Sequence, residues 1–100
     1  MHKRKKTMYE NADAFLCLPG GIGTLEEVSE TITWFQLKIS RKPIFFLNIN
    51  GYWNNFRVLL EQFVSLEFSD QDLLNYLNFF ESVETLIPSL LSSLDIPSKE

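Results

Sequence analysis

Apolar positions along the chain alternate between short unbroken runs and longer stripes of helical period. Residues 14–18 (AFLCL) form a continuous apolar run that stops at Pro19-Gly20-Gly21, the pattern of a strand buried on both faces. From Thr24 the pattern changes. Leu25, Val28, Ile32, Phe35 and Ile39 recur at steps of three and four and predict a helix with one apolar face. Thr24 and Glu27 have the spacing of a capping box at its start. Pro43 follows, and residues 44–49 (IFFLNI) predict a second buried strand ended by an Asn50-Gly51 turn. Phe56, Leu59, Leu60, Phe63 and Val64 mark a second amphipathic helix. The pattern then predicts a short helix over residues 69–74 and a strand or connector over 76–80. A last stripe runs through Val83, Leu86, Ile87, Leu90, Leu91 and Leu94; Pro88 within it predicts a kink or a restart. Ahead of the first strand, residues 5–12 predict a helix ending near Asn11 and Asp13.

The order strand, helix, strand, helix, weak strand, helix predicts an α/β fold, a parallel sheet flanked by helices. Two or three strands amount to half of a doubly wound sheet, so the expectation is a Rossmann-like fold of which only the second half is present. Residues 1–96 are expected to form this partial unit, with 97–100 a frayed tail.

Composition narrows the function classes. The 100 residues carry a formal charge of −4, yet Lys3, Arg4, Lys5 and Lys6 cluster at the start. That cluster can steer one small anion but makes no extended nucleic-acid footprint. With 45% hydrophobic and 14% aromatic residues, the chain holds more apolar bulk than a small monomer easily hides, which predicts association or a missing partner segment. Single Cys17 excludes an internal disulfide, and a reducing cytoplasm is the default compartment. No apolar run approaches membrane-spanning length, and the basic start lacks the apolar core of a signal peptide.

The candidate chemistry lies in Pro19-Gly20-Gly21-Ile22-Gly23-Thr24, between a buried strand and a helix. In an open α/β fold this is the carboxyl edge of the sheet, where ligands bind. Gly20, Gly21 and Gly23 allow close backbone approach and positive φ. The helix start adds unpaired N–H groups and a positive dipole end, and Thr24 adds a hydroxyl, so the turn reads as a phosphate or carboxylate cradle. No Lys follows the glycines as in a P-loop, and Glu26 stands where GxGxxG needs its last glycine. The plain reading is a tight turn that needs glycine, with Glu27 simply closing the cap; Glu26 and Glu27 also suit a first turn electrostatically. Arg4 offers a bidentate fork for a phosphate, although a terminal basic run is more often solvated. His2, the single histidine, lacks the partners of a metal site or triad, and Cys17 reads as a buried thiol.

Met1-His2-Lys3-Arg4-Lys5 and Pro19-Gly20-Gly21-Ile22-Gly23-Thr24-Leu25-Glu26-Glu27 together resemble the paired signatures MHxRK and PGGxGTxxE. These belong to the LOG (Lonely Guy) family of cytokinin riboside 5′-monophosphate phosphoribohydrolases, formerly labelled lysine decarboxylases. The resemblance extends through Thr33-Trp34-Phe35-Gln36-Leu37 and from Lys42-Pro43 to Gly51-Tyr52, and covers residues 1–65 most closely. It implies a Rossmann-like homodimer that hydrolyses the N-glycosidic bond of a nucleoside 5′-monophosphate, a cytokinin nucleotide or AMP, to free base and ribose 5-phosphate. It implies Arg4 and Glu27 as the catalytic pair, Lys5 as the basic neighbour, and Gly20, Gly21, Gly23 and Thr24 as the phosphate-binding turn. No metal or redox cofactor is implied. Family members are longer, and their first half supplies early strands and another glycine-rich nucleotide contact, so the chain reads as a C-terminal portion. The alternatives are a non-catalytic nucleotide- or phosphate-binding module and an inactive remnant.

Overall fold

The computed structural model describes residues 11–39 and 41–94. Of the helix expected over 5–12, only its last two residues fall in this range, and Asn11 is helical. The described chain runs β1 (Phe15–Cys17), α1 (Ile22–Gln36), β2 (Ile44–Leu47), a 3-10 turn (Ile49–Gly51), α2 (Asn54–Ser65), α3 (Asp72–Asn75), β3 (Leu77–Phe80) and α4 (Val83–Ser93). The strands form one parallel sheet in the order β1-β2-β3, with Phe15 opposite Ile44 and Ile44 opposite Leu77. The expected α/β class, a parallel sheet flanked by helices, is the observed one, and its three strands are consistent with a partial Rossmann-like fold.

Side chains alternate across the sheet, and each face has its own core. On one face Cys17, Ile44 and Phe46 pack with Val28, Ile32 and Phe35 of α1, Leu60 of α2, Leu73 of α3 and Trp53. Phe46 is fully buried there, stacked on Phe79 with ring centroids 4.5 Å apart. On the other face Phe45 and Leu47 meet Leu86 of α4, with Phe80 and Leu90 against them. A run such as IFFL, apolar at every position, is what a strand between two helical layers requires. The weak segment becomes a true strand because β2 offers it an edge: Ile44 N–H donates to the Tyr76 carbonyl (2.8 Å) and Asn48 N–H to that of Phe80 (2.6 Å).

Several expectations shift. The second strand ends at Leu47, not at residue 49, because Asn48 turns its side chain into the following loop. Helix α1 stops at Gln36, so Ile39 lies beyond it. Lys38 takes a positive φ of 62°, and its N–H reaches the Phe35 carbonyl while Ile39 N–H reaches that of Trp34 (both 3.0 Å). This is a Schellman closure, which satisfies the last carbonyls well before Pro43. The short helix starts at Asp72 instead of 69. Helix α4 continues through Pro88 without restarting; burial of Leu86 holds it on the sheet despite the donor that proline removes.

Candidate active site

The chain leaves β1 at Cys17, passes Leu18 and Pro19, and enters α1 at Ile22 with Gly21 as the N-cap. Leu25 N–H donates to the Gly21 carbonyl at 3.0 Å as the first bond of the helix. The N–H groups of Gly21, Ile22, Gly23 and Thr24 therefore precede the intrahelical ladder, at the carboxyl end of a parallel strand. The turn departs from expectation in two ways. Thr24 is the third residue of the helix, not its cap, and no side chain caps α1. A glycine at the N-cap lets the helix begin before Thr24, so the expected Thr24–Glu27 capping box does not form. Glu26 and Glu27 consequently lie beyond the first turn. Nor does any glycine of the turn adopt positive φ; Gly51 alone does so among the described glycines.

Space distinguishes the turn glycines instead. A Cβ on Gly20 would lie 2.1 Å from Thr24 Oγ1, so the threonine hydroxyl occupies the room a side chain would need. A Cβ on Gly21 or Gly23 would meet nothing within 4 Å. Packing within the described chain thus accounts for Gly20 but not for the other two.

The turn is a ridge between two grooves. One, of about 340 Å³, runs along β1 and α1; Thr24, Glu27 and Thr31 line it with Phe15, Leu16 and Val28. Thr24 and Glu27 share it because positions three apart lie on one helix face. Glu27 is exposed, and its backbone carbonyl accepts from Thr31 Oγ1 at 2.9 Å. The other groove, of about 370 Å³, is lined by Gly20, Gly21 and Leu25 on one side and by Tyr52, Asn55 and Phe56 on the other.

Of the residues predicted from sequence, Gly20, Gly21, Gly23, Thr24 and Glu27 fall on this one stretch of chain. Arg4 and Lys5, like His2, lie outside the described residues. Cys17 is buried, and burial pushes its thiol up to about 12, which makes it a poor nucleophile. Sequence reading missed Tyr52 as a neighbour of the turn. Its hydroxyl donates to the Gly20 carbonyl across 32 residues, a contact that no local pattern signals. Among the described residues no three His, Cys, Asp or Glu side chains gather into a group able to hold a metal ion.

The family model described as "Possible lysine decarboxylase" matches residues 1–90. The chain belongs to this family, the LOG family. Among its LOG relatives, the chain is 53% identical over 64 residues to cytokinin riboside 5′-monophosphate phosphoribohydrolase LOG7 of Arabidopsis thaliana, covering 64% of this chain and 30% of that protein. It is 42% identical over 90 residues to the probable phosphoribohydrolase LOG4 of Oryza sativa subsp. japonica, covering 90% and 39%. It is 49% identical over 72 residues to phosphoribohydrolase LOG of the same rice, covering 72% and 30%. The chain thus spans about a third of the length of these LOG relatives. Among the described residues no helix is long and apolar enough to cross a membrane.

Proposed function

We propose that the chain carries the phosphate-binding and catalytic segment of a nucleoside 5′-monophosphate phosphoribohydrolase, acting on a cytokinin riboside monophosphate or AMP. The observation that carries this reading is the pairing of open helix-start glycines with a carboxylate one turn further along the same helix. Gly21 and Gly23 leave room for a ligand, and Thr24 and Glu27 line one groove. The names of the relatives supply the reaction class.

In this reading the N–H groups of the turn hold the 5′-phosphate, so binding energy remote from the reacting carbon orients it. Cleavage of the bond from C1′ to the base nitrogen builds positive charge on the ribose. Glu27 stabilises that charge or polarises the water whose oxygen bonds to C1′; the base leaves with a proton. Arg4 offsets phosphate or transition-state charge, with Lys5 beside it. Two such units form the homodimer, and residues 1–96 act as one partial Rossmann-like unit.

Incubation of the chain, joined to the first half of a LOG relative, with AMP or a cytokinin riboside 5′-monophosphate, followed by chromatography of the free base, tests this. Base release is expected, with the Glu27→Gln rate lower by roughly two to four orders of magnitude. No base from any nucleoside 5′-monophosphate overturns the hydrolytic reading. Nucleotide binding that Glu27→Gln leaves intact, with no turnover in either protein, establishes the binding module in its place.

A further inference from the structure

Tyr52 stands on a rigid base. Its ring meets the edge of Trp53, centroids 5.3 Å apart at 88°, and Trp53 is 4% exposed. Trp53 N–H donates to Asn48 Oδ1 at 2.6 Å, and Asn48 Nδ2 donates to Asn54 Oδ1 at 2.8 Å. Asn48 is itself held by β3, through its N–H to the Phe80 carbonyl. The Tyr52 hydroxyl then reaches back to the Gly20 carbonyl. One chain of contacts thus joins the carboxyl ends of all three strands and ends on the glycine turn.

The atom it grips matters. In a trans peptide the carbonyl and the following N–H point in opposite directions. Holding the Gly20 carbonyl therefore fixes the direction of the Gly21 N–H, the first donor of the helix start. A peptide plane between two glycines has more freedom to rotate than any other, and the turn has no side-chain cap to restrain it. Preorganised donors bind an anion better than donors that must be ordered at binding.

We propose that Tyr52 is a positioning residue for the anion site: by holding the Gly20 carbonyl, its hydroxyl aims the Gly21 N–H at the bound phosphate. This rests on the reading of residues 20–24 as a phosphate site. It adds a residue from the far side of the second groove, on a different βα connection.

Inorganic phosphate and AMP are titrated into the ¹⁵N-labelled full chain, following the amide resonances of Gly21 and Gly23, with the melting temperature recorded in parallel. Tyr52→Phe keeps the ring and removes the hydroxyl. Expected are a shift of the free-state Gly21 resonance, an unchanged melting temperature and a roughly three- to tenfold loss of affinity for both probes, the scale of one hydrogen bond. Tyr52→3-fluorotyrosine retains the donor and is expected to restore the parent affinity. If Tyr52→Phe binds both probes as tightly as the parent, the positioning role is overturned while the phosphate site stands. If the parent's turn resonances respond to neither probe, the phosphate reading falls and this proposal with it.

Discussion

Gly20 and Gly23 belong to one turn, yet their surroundings ask different things of them. Gly20 is required by packing: any Cβ would collide with Thr24 Oγ1 and lie 2.8 Å from Thr24 Cβ. Gly20→Ala is therefore expected to destabilise the fold by roughly 1–3 kcal/mol, the range for a forced side-chain displacement, read from the urea midpoint. Gly23 is the second residue of α1, with open space around it and no positive φ. As a helical position it favours alanine by about 0.5–1 kcal/mol. Gly23→Ala is expected to raise the urea midpoint and, on the phosphate reading, to weaken AMP binding by filling the ligand's space. Unchanged AMP affinity in a stabilised Gly23→Ala protein would mean that the glycine serves only the turn. At this scale the structure gives partly different reasons for the glycines than the sequence suggests. The glycines were legible from their order between a strand and a helix. That Gly20 answers to Thr24 and Tyr52, and not to a positive φ, depends on contacts made only after folding.

At the scale of elements, apolar period located the strands and helices, and local chemistry at their ends moved the boundaries. Helices α1 and α2 end in the same way without glycine. Lys38 after α1 and Glu67 after α2 adopt φ of 62° and 66°. Beyond Glu67, Phe68 N–H returns to the Phe63 carbonyl at 2.7 Å, as Ile39 does to Trp34. Left-handed geometry costs a residue with a Cβ about 1–2 kcal/mol, part of which glycine recovers. Lys38→Gly and Glu67→Gly are each expected to stabilise the protein by about 0.5–1 kcal/mol in urea unfolding. A loss of stability in both would show that these side chains contribute more than the backbone geometry costs. The absence of glycine at these ends is also why Ile39 reads as part of the helical stripe: its spacing fits, and nothing before Pro43 marks the stop. Residues 76–80 were ambiguous for the complementary reason, since a strand of four residues is defined by its pairing with β2 and not by its own pattern.

At the scale of the whole molecule, the two faces of the sheet are unequally closed. Helices α1 and α2 cover most of one face, while on the other Leu16 remains 48% exposed. The excess of apolar residues read from composition is thus visible as surface, including Val83, Ile87 and Leu91 along α4. Cys17 lies on the face covered by α1 and α2, beside the groove along β1 and α1, and its buried thiol links protonation to global stability. Its ordinary value of 9.0 is raised to about 12 by desolvation, so the folded state holds the proton more tightly than the unfolded state. For such a group the stabilisation is fully present below about 9 and is lost as pH rises toward 12. Within that window the unfolded chain ionises while the folded one resists, which costs about 1.4 kcal/mol per pH unit. Cys17→Ala removes this linkage and leaves the other alkaline titrations in place. Urea unfolding at intervals from pH 8 to 11 should therefore show parent stability falling more steeply than that of Cys17→Ala, with the two curves parallel below pH 8. Equal slopes throughout would mean that water reaches the thiol in the native state, and that the seal between β1 and α1 directly beneath the glycine turn is looser than its packing indicates.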